Sequence, residues 1–339
     1  MRLVNIDYVE PGQILGKTIF SSNGTVLLAQ GIQLTVYMIS TLRRLGVTAI
    51  YIDDPKYRDV EMQDLLSDET KRAVIQQMSE TFEALKSGKD FSTKAISNTI
   101  DQLLDEVMKN SNVMVHLSDI RTADNAMFVH ALNVCMLSSL IGLNMGLNMI
   151  QLKDLAIGAL LHDIGKVNAP EVQEGRSHHT WRGFEMLKTK REYSLLIAHV
   201  AFQHHEAVDG SGLPRGITGE EIHPYAKIVA VANTYDNLLC TVENGKPLLP
   251  HEACERMNAM SGTKLDHEVL THFMRFVSIY PNGISVRLSN HKVGVVVGQH
   301  RGLPGRPIVR IISKDDIDAD AETIDLAQHP TIFIESVLS

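Results

Sequence analysis

The pattern of apolar and polar positions divides the chain into three parts of different texture. In the first part, turn residues separate short apolar runs that predict strands, at 13–20, 25–28 and 49–52. Between these runs, residues 34–45 have the apolar spacing of one helix, and Gly46 is placed to act as its C-cap. Asn23-Gly24 is typical of a two-residue hairpin turn. We therefore predict a small N-terminal α+β domain over residues 1–55.

The second part, from residue 56 to 278, has the period of helices. Two amphipathic stretches, 70–86 and 93–109, predict helices that we interpret as a connector over 56–111. A dimer contact on these helices is left open, because connecting helices and dimer helices have the same pattern. Residues 112–278 are predicted to form a helical bundle, with helices at 123–142, 150–161, 180–187, 194–205, 223–239, 250–261 and 267–278.

The third part, residues 279–339, consists of β-branched runs separated by Asn, Gly, Pro and Asp residues. This texture predicts a small C-terminal antiparallel β domain. The expected fold class is therefore mainly α: an all-helical bundle flanked by a small N-terminal α+β domain and a small C-terminal antiparallel β domain.

The charge and composition narrow the kinds of partner. The net charge is -8 and the pI is near 6.0, which argues against binding a nucleic-acid polymer, since that requires a clustered basic face. One anionic nucleotide in a small pocket remains possible, because a bound metal can reverse the local charge. The three cysteines have no paired spacing, which indicates a reducing, cytoplasmic location.

One stretch, residues 131–150, is uncharged and nearly long enough to cross a bilayer. Asn133, Asn144 and Asn148 interrupt it, and Lys153 and Asp154 follow shortly after. Membrane spans rarely carry several amides, so we interpret this stretch as part of a pair of buried helices and predict no membrane insertion. The first residues contain acidic side chains and no long apolar run, which argues against a secretory signal.

The chain has 15 histidines, and their positions matter more than their number. Six chemically related positions concentrate in the helical middle: His130, His162, Asp163, His179, His204 and His205. Imidazole nitrogens and carboxylate oxygens bind transition metals, and a carboxylate such as Asp163 can bridge two ions. Such a pair can activate a water and stabilise both oxygens of an in-line phosphoryl displacement. From spacing alone, a metal cluster and ordinary histidines are about equally supported.

Six other histidines are interpreted as ordinary core or surface residues, because isolated histidines usually are. They are His116, His251, His267, His272, His291 and His300.

Three sequence segments carry a more specific signal. Residues 162–166 read HDIGK, the segment from His204 reads HHEAVDGSGLPRGITGEEI, and residues 227–239 read KIVAVANTYDNLL. In this order they resemble the HD-GYP family of cyclic di-GMP phosphodiesterases, a subgroup of the HD-domain phosphohydrolases. The resemblance covers about residues 115–275 and is specific, since several motifs occur in the family's order.

The resemblance implies a role for each matching residue. The implied metal ligands are His130, His162, Asp163, His179, His204, His205 and Asn233. Asp163 is implied to bridge the metals, and Lys166 to contact the scissile phosphate or its leaving oxygen; both count as catalytic. The implied substrate-binding residues are Lys166, Asp209, Gly210, Ser211, Gly212 and Lys246. The implied cofactors are two divalent ions, iron or manganese, with zinc, nickel or magnesium as alternatives.

The sequence also departs from the family pattern. Leu213 stands where the family has the tyrosine of GYP, and Asn233 stands where an aspartate is expected. An amide binds transition metals more weakly than a carboxylate, so the first metal is expected to be held loosely. Asp236, one helical turn further along, is a possible but less favoured substitute ligand.

Three further departures concern the rim of the site. Ala126 replaces the glutamate that members with three metals carry, so a third ion is not expected. Residues 243–247 lack the arginines that would neutralise a dinucleotide's phosphates and leave Lys246 as the cation there. The segment between Lys166 and His179 is short, which predicts a trimmed lid.

These observations leave three functions in competition. The favoured one is hydrolysis of cyclic di-GMP to pGpG or GMP in bacterial second-messenger signalling. The alternative is a catalytically degenerate HD-GYP domain that senses a cyclic dinucleotide or metal, or acts as an interaction module. The third is a hydrolase that acts on a different phosphoester, because a pair of metal ions does not by itself select the base of the substrate. A signalling protein partner and a homodimer are possible in each case.

Overall fold

The chain is mainly helical with small sheets at both ends, as predicted. The computed structural model describes residues 1–54, 64–117, 119–169, 175–240, 248–312 and 322–338, with the backbone of 242–243 and 246–247.

The N-terminal unit contains two small sheets and one helix. Its elements are β1 (Arg2–Asn5), β2 (Ile14–Leu15), β3 (Ile19–Phe20), β4 (Val26–Leu28), α1 (Val36–Arg44) and β5 (Ala49–Asp53). Strand β5 lies between β1 and β2, while β3 and β4 form a separate antiparallel pair. Leu15, Ile50 and Leu42 are buried in a core between this sheet and α1. The unit thus buries its own apolar face, as a small α+β unit must.

Two details of this unit differ from prediction. The run 13–20 is divided between two sheets rather than forming one strand, and strand β1 was not predicted. The Asn23-Gly24 turn is longer than two residues, because β3 and β4 pair Phe20 with Val26. The Asn23 side chain accepts a hydrogen bond from the Thr25 amide at 3.1 Å, which closes a local turn inside this loop.

The end of α1 agrees with the predicted C-cap. Gly46 has φ +82, a left-handed conformation that glycine adopts without steric strain. Its amide donates to Arg43 and the next amide, of Val47, donates to Leu42. This pair of bonds satisfies the last carbonyls of the helix.

The helical part contains nine α-helices among the described residues. They are α2 (Asp68–Lys86), α3 (Thr93–Lys109), α4 (Ala126–Asn144), α5 (Met149–Leu160), α6 (His179–Leu187), α7 (Leu195–Gln203), α8 (Pro224–Cys240), α9 (Pro250–Ala259) and α10 (His267–Met274). A short hairpin of β6 (Val242–Glu243) and β7 (Lys246–Pro247) follows α8.

Helix α4 lies at the centre of this part and packs against α2, α3, α5, α8 and α10. It is long and apolar enough to cross a membrane by length and composition alone, but 83% of its apolar window is buried inside the protein. The chain turns at Gly146, with φ +80, before α5 begins. The stretch 131–150 thus comprises most of α4, a turn and the first residues of α5, in agreement with the predicted pair of helices.

Helices α2 and α3 pack into the same apolar core as α4 and α5. Phe82 of α2 contacts Phe128 of α4 edge to face, with ring centroids 5.6 Å apart. Ile96 and Ile100 of α3 are fully buried in that core. The predicted connector is therefore packed on the bundle, and its boundaries as a domain stay predictions.

The C-terminal unit is one five-stranded sheet. It contains β8 (Ser285–Leu288), β9 (Val293–Gly298), β10 (Ile308–Ile311), β11 (Thr323–Asp325) and β12 (Ile334–Leu338). The strand order is β11-β10-β9-β8-β12, and the neighbouring strands are antiparallel. The short strand β11 was not predicted. Val286, Val296 and Val309 are fully buried on the inner face of the sheet.

Candidate metal centre

Four elements of the bundle bring the predicted ligands together. His130 comes from α4, and His162 and Asp163 come from the turn after α5. His179 is the first residue of α6, and the pair His204 and His205 follows α7 directly. Their ligand atoms form two groups, each with all its atoms within 4.8 Å of one another. Six of the seven predicted ligands therefore lie in one cluster.

Two glycines allow the turn after α5 to approach α6 closely. A Cβ on Gly165 would lie 2.0 Å from the carbonyl oxygen of His179 and 2.6 Å from the amide nitrogen of Gly183. Since no side chain fits there, the two backbones pack directly against each other. This contact places the side chains of His179 and Asp163 on the same side of the junction.

The first group, which we call the Asp163–His205 group, consists of Asp163, His179, His204 and His205. The Nε2 atoms of His179 and His204 lie 3.3 and 3.6 Å from Asp163 Oδ1. His204 Nδ1 lies 2.9 Å from the carbonyl oxygen of Ala201, to which it donates. That hydrogen bond leaves Nε2 of His204 unprotonated and facing the carboxylate.

The second group, the His130–Asp163 group, consists of His130, His162 and Asp163. His162 Nδ1 lies 2.7 Å from the carbonyl oxygen of Ala159, and His130 Nδ1 lies 2.5 Å from Asp236 Oδ2. Both Nδ1 atoms face acceptors, so each donates and leaves its Nε2 as a bare lone pair. These two Nε2 atoms are 3.2 Å apart.

This arrangement fits a cation. The same two Nε2 atoms, of His130 and His162, lie 3.6 and 3.4 Å from Asp163 Oδ2. Three electron-pair donors that face one another repel unless a positive charge lies between them. On the other side, Oδ1 of Asp163 and Nε2 of His204 are buried and make no hydrogen bond with the described residues. The residues present therefore have the chemistry and convergence of a two-ion site bridged by Asp163.

The protonation states also suit metal ligands. Burial lowers the pKa of His204 to about 4 and of His179 to about 3, and it lowers that of His205 further. Burial by itself would raise the pKa of Asp163, but His162, His204 and Lys166 together outweigh it and hold that pKa well below its ordinary value. At neutral pH these side chains are thus neutral imidazoles around a carboxylate, which is the form that binds metal.

Lys166 lies at the open side of the cluster. Its Nζ atom is 2.5 Å from Asp163 Oδ2, and its side chain is 41% exposed. The ammonium group therefore touches the predicted bridging carboxylate while remaining accessible to a ligand that arrives from solvent.

Asp236 has a different role from the substitute ligand considered in the sequence analysis. It is fully buried, and its two oxygens are engaged by His130, Arg121 and Asn133, the last at 2.9 Å. Asp236 thus holds a ligand histidine instead of acting as a substitute ligand. Arg121 and Asn133 were not found from the sequence, and Arg121 lies 115 residues away from Asp236 along the chain.

Asn233 is buried on α8, and its Oδ1 accepts a hydrogen bond from Asn237 Nδ2 at 2.8 Å. Its role as a ligand stays a prediction. Ala126 is the first residue of α4, and its side chain has no ligand atom. The number of ions, two and not three, stays a prediction.

The signature loop after the histidine pair is organised by Glu206. This buried carboxylate accepts the backbone amides of Arg215, Gly216 and Ile217 at 2.9 to 3.2 Å. A Cβ on Gly212 would lie 2.1 Å from the amide nitrogen of Ala207. The loop therefore folds back tightly on the chain that follows His205, and Gly212 is required for that close approach.

Asp209 and Ser211 of this loop contact each other and Lys264, while the amide of Leu213 donates to the carbonyl of His205 at 2.9 Å. Ser211 donates its amide to Asp209 at 2.9 Å, and Lys264 lies 3.7 Å from the same carboxylate. Leu213, in the position of the family's tyrosine, is 56% exposed. The substrate-binding roles of Asp209, Gly210, Ser211 and Gly212 stay predictions.

Some predictions fall outside the described residues. They are the side chains of 243–247, including Lys246, and residues 170–174 of the segment predicted to be a trimmed lid. Among the described residues, neither group of potential ligands includes any of the six histidines interpreted as ordinary ones.

Comparison with known proteins agrees with this geometry. Residues 115–269 match the HD domain family, and residues 285–339 match a KOW domain associated with HD domains. A cyclic di-GMP phosphodiesterase of Pseudomonas aeruginosa is 28% identical over 278 residues, covering 78% of this chain and 66% of the relative. One of Thermotoga maritima is 31% identical over 205 residues, covering 56% of this chain and 52% of the relative. The chain thus spans between about half and two thirds of these curated relatives' lengths.

A solved structure shares the fold. Bd1817, described as an HDG"Y"P protein from Bdellovibrio bacteriovorus, aligns with a TM-score of 0.51 at 18% identity, covering 80% of this chain and 97% of that one. With the sequence matches, the fold and the site define the class: this chain carries an HD domain. Within that domain, the segments that begin at His162 and His204 resemble the HD-GYP family, with Leu213 in the tyrosine position.

Proposed function

We propose that the protein is a metal-dependent phosphodiesterase that hydrolyses a cyclic dinucleotide, with cyclic di-GMP as substrate and pGpG or GMP as product. The observation that carries the proposal is the convergence of four imidazole nitrogens on the two oxygens of Asp163. That centre lies in the segment that matches the HD domain family, and the chain is similar in sequence to relatives that are named cyclic di-GMP phosphodiesterases.

The two groups would hold one divalent ion each, with Asp163 contributing to both. We propose that both ions are iron or manganese. Zinc, nickel and magnesium are the alternatives, because imidazole and carboxylate ligands bind several of these metals. When bound, two such ions supply a water activated near neutral pH and positive charge for an in-line displacement at phosphorus.

The chain's own residues supply the rest of the chemistry. The protein has a net charge of -8, so a dinucleotide with two phosphates approaches it against an unfavourable overall field. Lys166 offers a partly exposed ammonium beside Asp163, which can bind a phosphate oxygen and stabilise the charge that develops on it. The buried histidines exclude bulk water from the inner side of the centre.

Product formation by purified protein tests this function. Anaerobically prepared protein loaded with iron or manganese should convert cyclic di-GMP to a linear product, and Asp163→Asn should be inactive. Asp105→Asn, which removes an exposed carboxylate on α3, is the matched control and should retain activity. A wild-type protein that binds two ions but is as silent as Asp163→Asn would refute the enzyme. A panel of other cyclic and linear phosphoesters identifies a different substrate.

A sensor without turnover is the second candidate. It is favoured by Asn233, an amide in a position where the family has a carboxylate and whose oxygen already accepts from Asn237. Isothermal titration separates the two functions, because saturable binding of cyclic di-GMP without hydrolysis supports the sensor. Complete absence of binding would exclude both nucleotide functions and leave an interaction module.

We also propose a cytoplasmic location, because Cys135, Cys240 and Cys254 are all free thiols in the structure. A homodimer and a signalling partner stay predictions, for which sedimentation of the purified chain is the first measurement.

A further inference from the structure

We propose that Arg121 is a positioning residue that fixes the His130–Asp163 group through Asp236 and couples that group to the N-terminal unit. The inference rests on the metal centre of the proposed function, and it concerns a residue that lies outside both groups of ligands. It begins from the contacts of one fully buried carboxylate.

Asp236 is held in place by Arg121. Its carboxylate is fully buried, so its position depends on the donors that the surrounding side chains supply. Arg121 donates to Oδ1 through Nη2, and Asn133 donates to the same oxygen at 2.9 Å. Arg121 is the cation that forms an ion pair with Asp236 among the described residues. Loss of the guanidinium therefore removes the ion pair and the hydrogen bond that fix the position of Asp236.

Asp236 in turn determines which nitrogen of His130 faces the centre. Its Oδ2 accepts from His130 Nδ1 at 2.5 Å, so the ring presents unprotonated Nε2 toward His162, 3.2 Å away. A carboxylate that accepts the second N–H of a ligand histidine fixes its tautomer and orientation and raises its basicity. The line Arg121, Asp236, His130 is thus a set of contacts that runs from outside the centre to one of its ligands.

The chain around Arg121 is held by the N-terminal part of the molecule. The amide of Ala123 donates to the carbonyl of Leu45 at 3.0 Å, and Asn125 Nδ2 donates to the carbonyl of Phe20 at 2.7 Å. Ile120 is buried in the core of the N-terminal unit. The residue before Arg121 and two that follow it are therefore anchored to that unit, so a shift of the unit moves the guanidinium.

The two groups differ in this respect. His204, in the Asp163–His205 group, is oriented by the backbone carbonyl of Ala201, three residues earlier on the same helix end. His130 is oriented by Asp236 and Arg121, which come from other parts of the chain. We therefore expect a change at Arg121 to weaken one ion and leave the other.

Metal titration of the full chain tests the proposal. Metal-free wild type titrated with Mn²⁺ in a calorimeter should bind two equivalents. Arg121→Met should bind one ion as wild type does and the other about 10–100-fold more weakly, as expected when the partner of a ligand histidine is lost. Arg121→Lys should recover part of the affinity, since an ammonium restores the charge but not the fork of donors. The Co²⁺ visible spectrum reports whether the weakened ion has lost a nitrogen ligand.

Two further experiments test whether Arg121 acts through Asp236. Cys240→Ala removes the thiol that Arg121 also contacts and leaves the ion pair with Asp236, so it should bind both ions as wild type does. In the Asp236→Asn background, Arg121→Lys should cause no further loss, because Arg121 acts through that carboxylate. This cycle also serves if Arg121→Met does not fold, as judged by circular dichroism.

The coupling is tested separately by Asn125→Ala, which removes the contact with Phe20 and should weaken the same ion by a smaller factor. Unchanged binding in Arg121→Met overturns the positioning role, and unchanged binding in Asn125→Ala overturns the coupling. If wild type binds two ions but hydrolyses no cyclic dinucleotide, the proposed function fails while this inference stands. If wild type binds no ion, both fail.

Discussion

The two halves of the candidate centre share Asp163 but are built in different ways. In the Asp163–His205 group, the ligands lie at the ends of neighbouring helices, and His204 is oriented by a carbonyl three residues away. In the His130–Asp163 group, His130 lies inside α4 and is oriented by Asp236 of α8, 106 residues away. His162 of the same group is held locally, by the carbonyl of Ala159 three residues away. The difference between the halves therefore lies in His130, the ligand whose orientation depends on side chains from distant parts of the chain.

The largest expected effect removes what the halves share. Asp163→Asn takes away the charge that both ions require, so the metal content should fall from two ions to none. Hydrolysis of cyclic di-GMP should fall on the order of a thousandfold. Elemental analysis and product chromatography measure the two effects. A variant that kept one tightly bound ion would show that Asp163 belongs to one half alone.

A second substitution addresses the local geometry of the Asp163–His205 group. In Gly165→Ala, the new Cβ would collide with the carbonyl of His179 and the amide of Gly183. We expect a free energy of unfolding lower by about 2–3 kcal/mol or more, as in overpacked cores, together with weaker metal binding in this group.

Denaturant unfolding of the metal-free protein measures that loss of stability. Gly305→Ala is the control, since a Cβ at Gly305 meets no atom within 4 Å, and it should be close to neutral. Equal stabilities of the two variants would contradict the proposed close contact.

The pH dependence of the metal-free protein gives a smaller effect on the same half. Burial lowers the folded-state pKa of His204 to about 4, from 6.5 as the ordinary value. The unfolded chain therefore binds a proton below pH 6.5 that the folded chain does not. Stability is fully present above pH 6.5 and is lost as the pH falls toward 4, by at most about 1.4 kcal/mol per pH unit.

Between pH 6.5 and 5, His204 alone should therefore lower the free energy of unfolding by about 1.5 kcal/mol. Urea unfolding at a series of pH values measures this slope, and His204→Asn should make it shallower, with His179 still contributing. Identical slopes in the two proteins would show that His204 titrates normally in the folded chain.

The smallest expected effect strengthens the His130–Asp163 group. Asn233→Asp places a carboxylate where we predict an amide ligand, so one of the two ions should bind on the order of tenfold more tightly. Asn237→Asp adds the same charge one helical turn along and is the control for a general electrostatic effect. If both variants tighten binding equally, Asn233 is not a ligand position.

The centre could be predicted from the sequence to the extent that its residues belong to local motifs. His162-Asp163, Lys166 and the pair His204-His205 stand in recognisable segments, and the structure brings them together with His130 and His179. From the sequence, Asp236 is predicted only as a possible substitute ligand. Arg121 could not be predicted from the sequence, because no pattern around an arginine in a loop indicates which distant residue it contacts.

The sequence by itself determined the mainly helical class, the extents of most helices and the candidate ligands, because amphipathic period, caps and motifs are properties of neighbouring residues. Only the tertiary structure decided the division of 13–20 between two sheets, the packing of α2 and α3 on α4, and the contact of Arg121 with Asp236. These depend on which distant surfaces bury one another, and a buried carboxylate takes whatever cation the packing brings to it.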